Sequence, residues 1–124
     1  MRKPEIKRKL AAAALGQSFV EEAPVVIVVC ADEDRSSMGY GVRGKTLYCI
    51  QDTAAAIQNI HLAAYSLGLG TCWIGAFREE EARRILKIPR GVRPVAMIAV
   101  GYAAEAPPPR SRRSLSQIVH YETF

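Results

Sequence analysis

Residues 47 to 67 limit what this chain can fold into more than any other stretch. Ile50, Ala54, Ile57, Ile60, Ala64 and Leu67 recur at helical spacing, and Gly68 stands ready as a stop signal. The opposite stripe, Asp52, Ala56, Asn59, Ala63 and Ser66, is small or polar. A helix that is apolar on most of its faces has to be buried, and small side chains let a second helix approach closely. Leu47–Leu67 is therefore predicted as a long buried helix able to form the centre of a dimer.

The flanking elements follow from the same periodicities. Pro4 to Leu15 carries Ile6, Leu10 and Ala13 at helical spacing, with Gly16 to end it. Pro24 opens Val25-Val26-Ile27-Val28-Val29-Cys30-Ala31, apolar on both alternating faces, which predicts a central strand covered on both sides. Asp32 to Thr46 is polar with three glycines and reads as a loop. Thr71–Ile74 is a short strand. Arg78–Leu86 is a helix whose first turn holds Glu79, Glu80 and Glu81, where carboxylates favour the positive helix end. Pro89-Arg90-Gly91 is a turn, and Val95–Val100 is a second apolar strand. Ala106–Arg113 is rich in Pro and Arg and reads as extended. Leu115, Ile118, Val119 and Tyr121 are too apolar to float free and are expected to pack on a neighbouring subunit or add a strand. The order predicts an α+β fold, a three-layer α/β/α sandwich. Three strands make a thin sheet, so further strands are expected from a partner.

A chain of 124 residues is one domain by its length, and 49% hydrophobic with 23% charged residues is ordinary for a globular protein. The net charge of +5 is concentrated near the ends, in Arg2, Lys3, Lys7, Arg8 and Lys9 and in Arg110, Arg112 and Arg113. No aromatic residues interleave these to make a nucleic-acid face. Cys30, Cys49 and Cys72 form no CxxC pair and no metal spacing, and scattered thiols suit a reducing compartment. No run reaches transmembrane length and the start lacks an apolar signal core. A cytoplasmic protein with no membrane and no nucleic-acid partner is the expectation.

Gly39-Tyr40-Gly41-Val42-Arg43-Gly44-Lys45-Thr46 fits the phosphate-loop pattern G-x-x-x-x-G-K-[ST]. A true phosphate loop leaves a buried strand directly, whereas Asp32 to Met38 intervenes here. Nucleotide binding at Gly39–Thr46 is thus a distant alternative. Elsewhere the chain offers no catalytic constellation. His61 sits mid-helix without an acid four residues away, and Ser66 and Ser114 lack a nucleophile elbow. Proteins that borrow their chemistry from a cofactor supply mainly binding and orientation.

With those residues in place, the chain resembles the nitroreductase family of FMN-dependent NAD(P)H oxidoreductases. The resemblance runs through Asp52-Thr53-Ala54-Ala55-Ala56-Ile57-Gln58-Asn59, Leu62-Ala63-Ala64 and Leu67-Gly68-Leu69-Gly70-Thr71-Cys72-Trp73-Ile74-Gly75-Ala76-Phe77. It continues in Ile85-Leu86, Ile88-Pro89, Arg93-Pro94-Val95, Val100-Gly101-Tyr102 and the tail from Pro107 to His120. It implies a homodimer binding FMN at the subunit interface, with NAD(P)H as co-substrate and a nitroaromatic, quinone or similar small molecule as electron acceptor. The long helix would be the dimer-core helix. The resemblance places Trp73, Ile74 and Gly75, with Ala76, against the flavin ring, where a backbone N–H meets the ring nitrogen that accepts hydride. It assigns the FMN phosphate to Arg110, Arg112 and Arg113, whose planar donor forks suit phosphate. It assigns no catalytic side chain and no metal.

The chain departs from the family at its start. Family members begin with an Arg-Arg-Ser-x-Arg-like phosphate helix and a Pro-Ser…Asn-x-Gln-Pro loop, and this sequence corresponds to the C-terminal two-thirds of the usual fold. Residues 1–124 are then one nitroreductase-like domain, with 103–124 an extended tail on a partner subunit. The alternative is a truncated, non-catalytic dimeric flavin-binding or dimerisation module.

Overall fold

The structure, a computed structural model, describes residues 1–124. Helix α1 (Pro4–Ala13) and the short α2 (Phe19–Glu22) lead into strand β1 (Val25–Asp32). Helix α3 (Glu33–Arg43) and a π-helical turn (Gly44–Tyr48) run into α4 (Cys49–Ser66). Strand β2 (Gly70–Ile74), helix α5 (Glu79–Leu86) and strand β3 (Val92–Gly101) follow, and a single 3-10 turn (Leu115–Gln117) interrupts the tail. The fold is α+β.

The sheet order is β1-β3-β2, with β3 antiparallel to both neighbours. Successive side chains of a strand point to opposite faces, and β3 divides accordingly. Met97 and Ala99 enter a core with Leu10, Ala11 and Ala14 of α1, Val20 of α2, Ala82 of α5, Val26 and Ile74. Ala96 and Ile98 turn the other way and close on Ile57 of α4, with Ile60, Ile27 and Val29 around them. Helices cover both faces, so the sheet is the middle of three layers.

Two expectations are corrected here. The β-branched run of β1 is not the central strand; β3 is. The run is apolar on both faces because helices lie on both sides of the sheet, a property of the layers rather than of position within the sheet. On the outer edge of β1 only Met1 pairs: the Val26 amide donates to the Met1 carbonyl at 2.9 Å, and the Met1 amino group donates to the Val26 carbonyl. The second correction concerns residues 32–46, which form a helix and a π-helical turn rather than a loop. Asp32 caps α3 by accepting from the Arg35 amide at 2.9 Å, and Glu33 and Asp34 occupy the favourable first turn.

Pro94 lies fully buried in the central strand, where a residue without an N–H would break a ladder bond. The register shifts there, from Val29↔Ala96 to Cys30↔Pro94, so Val95 bulges out and the missing donor is tolerated. Helix α4 ends at Gly68, as its sequence predicts, with the Leu69 amide returning to the Ala64 carbonyl at 2.9 Å. Ile57 and Ile60 of its apolar stripe face the sheet, but the chain alone buries only Cys49, Ile57 and Ala64 of this helix. Asp52, Ala56, Asn59, Ala63 and Ser66 are all exposed, and so are Leu62, Tyr65 and Leu67. The chain's own elements therefore cover one side of α4, not most of it as its composition implies.

Candidate functional site

Strand β2 carries Trp73 and Ile74 out to Gly75, and each has a different task in the geometry. Ile74 is buried in the core beneath the sheet and anchors the strand end. Trp73 points to the opposite face, toward α4, and is 43% exposed. Gly75 is exposed, and a side chain at this position would meet only the Trp73 indole, whose Nε1 lies 3.7 Å from the place of a β-carbon. The amides of Gly75 and Ala76 make no hydrogen bond within the chain.

The segment beyond Gly75 is pinned from the side of α1. Gln17 Nε2 donates to the Ala76 carbonyl at 3.2 Å and to the Ala14 carbonyl at 2.8 Å. The Arg78 amide donates to the Ala13 carbonyl at 2.8 Å, and Arg78 Nη2 donates to the Ala12 carbonyl at 2.9 Å. These bonds hold the Gly75–Arg78 backbone against the end of α1 and leave the Gly75 and Ala76 amides without an intrachain partner. A flat ring could approach such a surface closely at Gly75, which has no side chain of its own. The residues present therefore fit one wall of a flavin site.

His61 escapes sequence reasoning as a member of this wall. Its Nδ1 lies 2.6 Å from Thr71 Oγ1, and its ring stacks on Trp73 with centroids 6.0 Å apart and planes 24° from parallel. The signal lay in the turn between helix and strand. His61 stands about 7.5 Å before the end of its helix at Ser66, and Thr71 and Trp73 lie about 3 and 10 Å along the strand that doubles back from Gly70.

Arg110, Arg112 and Arg113 are exposed, as is every residue from Tyr102 to Phe124. The chain brings Trp73, Ile74 and Gly75 together but does not bring the three arginines to them. No acidic side chain pairs with these guanidinium groups.

A second cleft, about 300 Å³ in volume, opens between α3 and α4 and is lined by Asp32, Arg35, Ser36, Tyr40, Cys49 and Asp52. It adjoins the Gly39–Thr46 segment, which does not form a phosphate loop. The segment leaves a helix, not a strand, and Gly41 (φ 57°, ψ −144°) kinks the chain before the π-helical turn. The Gly44 amide is spent on the Tyr40 and Gly41 carbonyls, and Thr46 Oγ1 donates to the Val42 carbonyl at 2.9 Å. The Gly44 amide and the Thr46 hydroxyl are thus already engaged within the helical turns.

Charged groups elsewhere serve the scaffold. Arg93 donates from Nε and Nη2 to the two Glu79 carboxylate oxygens, both at 2.8 Å. That hydrogen bonding holds the Glu79 carboxyl below its ordinary range and lifts the Arg93 guanidinium above its own. Burial pushes the Cys30 thiol up, opposed by the nearby Arg83 charge. No group of three or more His, Cys, Asp or Glu side chains could hold a metal, and no helix is long and apolar enough to cross a membrane.

Comparison with known proteins identifies relatives of the chain and of its fold. A protein of Methanocaldococcus jannaschii whose name contains nitroreductase is 41% identical over 101 residues, covering 82% of this chain and 50% of its own. The FMN reductase (NADPH) of Bacillus subtilis is 31% identical over 134 residues, covering 98% of this chain and 54% of its own. The solved NADPH:FMN oxidoreductase of Vibrio harveyi, complexed with NAD+, superposes with a TM-score of 0.89 at 26% identity, covering 100% of this chain and 57% of its own. The chain thus spans about half the length of these relatives. The model of the nitroreductase family matches residues 2–102. With the three-layer fold in agreement, the chain belongs to the nitroreductase family.

Proposed function

We propose that this chain contributes to an FMN-dependent oxidoreductase that uses NAD(P)H. The observation that carries this reading is the pinned backbone at Gly75–Ala76, bare of a side chain at Gly75 and with both amides unspent, in a chain of this family. FMN, when bound, would supply the redox chemistry, taking hydride from NAD(P)H and passing electrons to a nitroaromatic, quinone or similar acceptor. The protein's part is binding and orientation. Gly75 admits the ring to the backbone, and the Gly75 or Ala76 amide donates to a ring nitrogen. Ile74 fixes the strand end from below, and Trp73 borders the ring. Arg110, Arg112 and Arg113 hold the phosphate.

Because the tail arginines are not delivered to Gly75 within one chain, the complete site would draw on a second copy. The exposed small-residue stripe of α4, flanked by Leu62, Tyr65 and Leu67, supports a homodimer built on that helix. Residues 103–124 would then pack on the partner. Three unpaired cysteines agree with a cytoplasmic setting. Purified protein should be yellow, dimeric, and able to oxidise NAD(P)H with a quinone as acceptor. Colourless protein that takes up no added FMN would sink the proposal. A tight dimer without flavin uptake would instead favour a non-catalytic dimerisation module, a reading motivated by the half-length match to the relatives.

A further inference from the structure

We propose that His61 is a positioning residue for the Trp73–Gly75 wall, holding the indole beside Gly75 so that a planar ring ligand meets a preset surface. The inference rests on the FMN reading above. Trp73 lies on an edge strand: β2 pairs only with β3, and Trp73 has Ile98 as its single cross-strand partner. A large, partly exposed side chain on such a strand has several open rotamers. His61 removes that freedom by gripping two residues of the same strand face. Thr71 and Trp73 are two positions apart, so they project to the same side. The imidazole engages Thr71 Oγ1 with Nδ1 at 2.6 Å and stacks, offset and near-parallel, beside the Trp73 ring. The hydrogen bond fixes how far the imidazole reaches along the strand, and the stack fixes the tilt of the indole.

The consequence appears at Gly75. The indole Nε1 lies beside it, so the ring is bounded by His61 and by the Gly75 backbone. An indole released from His61 could swing over Gly75 and cover the one place where the backbone is bare. Histidine suits the role because one side chain supplies both contacts. Phenylalanine would stack without the hydrogen bond, and alanine would do neither.

Trp73 is the only tryptophan in the chain, so tryptophan fluorescence of the flavin-free protein reports on this one side chain. The test compares wild type with His61→Ala, His61→Phe and Thr71→Val. It measures acrylamide quenching of Trp73 and FMN affinity, with circular dichroism to verify folding. His61→Ala is expected to raise the quenching constant about twofold and to weaken FMN binding about fivefold to tenfold, the scale of one lost aromatic pair. His61→Phe should recover most of both effects, which a general loss of stability would not allow, and Thr71→Val should fall between. Unchanged Trp73 quenching in folded His61→Ala would overturn the clamp. Raised quenching with unchanged FMN affinity would overturn its role in binding. Wild-type protein that takes up no FMN overturns the flavin reading and the binding role together, and the quenching series still decides whether His61 holds Trp73.

Discussion

A β-carbon at Gly91 would stand 1.8 Å from Asp34 Oδ2, so any side chain at position 91 would have to displace the Asp34 carboxylate. The Gly91 carbonyl also accepts the amides of Glu33 and Asp34, at 2.8 and 3.3 Å. The turn before β3 is thereby the seat of α3.

Gly91→Ala should loosen that seat. Gly91 has a φ of 80°, a conformation costing an alanine about 1–2 kcal/mol before the Asp34 carboxylate is displaced. The melting temperature is expected to fall by roughly 4–8 °C, with proteolytic nicking concentrated in residues 33–48. An unchanged melting temperature would mean that α3 is not docked on this turn.

The Glu79–Arg93 pair gives stability with a defined pH sense. The folded state lowers the Glu79 pKa, so the stabilisation is fully present above its unfolded value and is lost as pH falls through the folded value. Both side chains are more than a third exposed, which limits the pair to about 0.5–1 kcal/mol. Glu79→Gln should melt a few degrees below wild type at neutral pH. The gap should close on acidification, and a gap independent of pH would contradict the assignment.

Thiol labelling should separate the three cysteines. Cys72 is exposed, Cys49 is buried with Sγ 3.1 Å from the Lys45 carbonyl, and burial raises the Cys30 thiol. Because the thiolate is the reactive form, native protein at mildly alkaline pH should label quickly at Cys72 and slowly at the other two. Mass spectrometry that finds Cys30 or Cys49 labelled first would count against this packing.

Replacing Arg110, Arg112 and Arg113 together with glutamine should weaken FMN binding about tenfold to a hundredfold, as expected for lost hydrogen bonds to a charged group. Riboflavin, which lacks the phosphate, should bind both proteins equally. Equal FMN affinity would remove these arginines from the site.

The parts of the fold that follow from local rules were legible in the sequence. The helical spacing of Ile57, Ile60 and Ala64, the stop at Gly68 and the apolar run of β3 all stand within three residues of their predicted places. Residues 32–46 were not legible as a helix because their three glycines outweigh the Asp32 cap, and the turn at Gly91 that seats α3 lies far along the chain. The place of β1 was equally hidden, since burial on both faces is the same for an edge strand and a central strand once helices cover the sheet. At the candidate site, Trp73, Ile74 and Gly75 could be selected through the family resemblance. His61 and Gln17 could not, because their roles exist only after α4 and α1 have been laid against β2 and the segment beyond it.

The strand order carries a consequence for how the molecule is made. In this sheet β3 is the last strand to leave the ribosome, yet it is the one both others bond to. Until Val92–Gly101 has emerged, β1 and β2 have no shared neighbour, and their apolar faces wait with only helices to shelter them. Assembly of the sheet is a late, long-range event. A nascent chain stalled before Val92 would expose two adhesive strands at once, which makes this interval of synthesis the point of greatest need for chaperones.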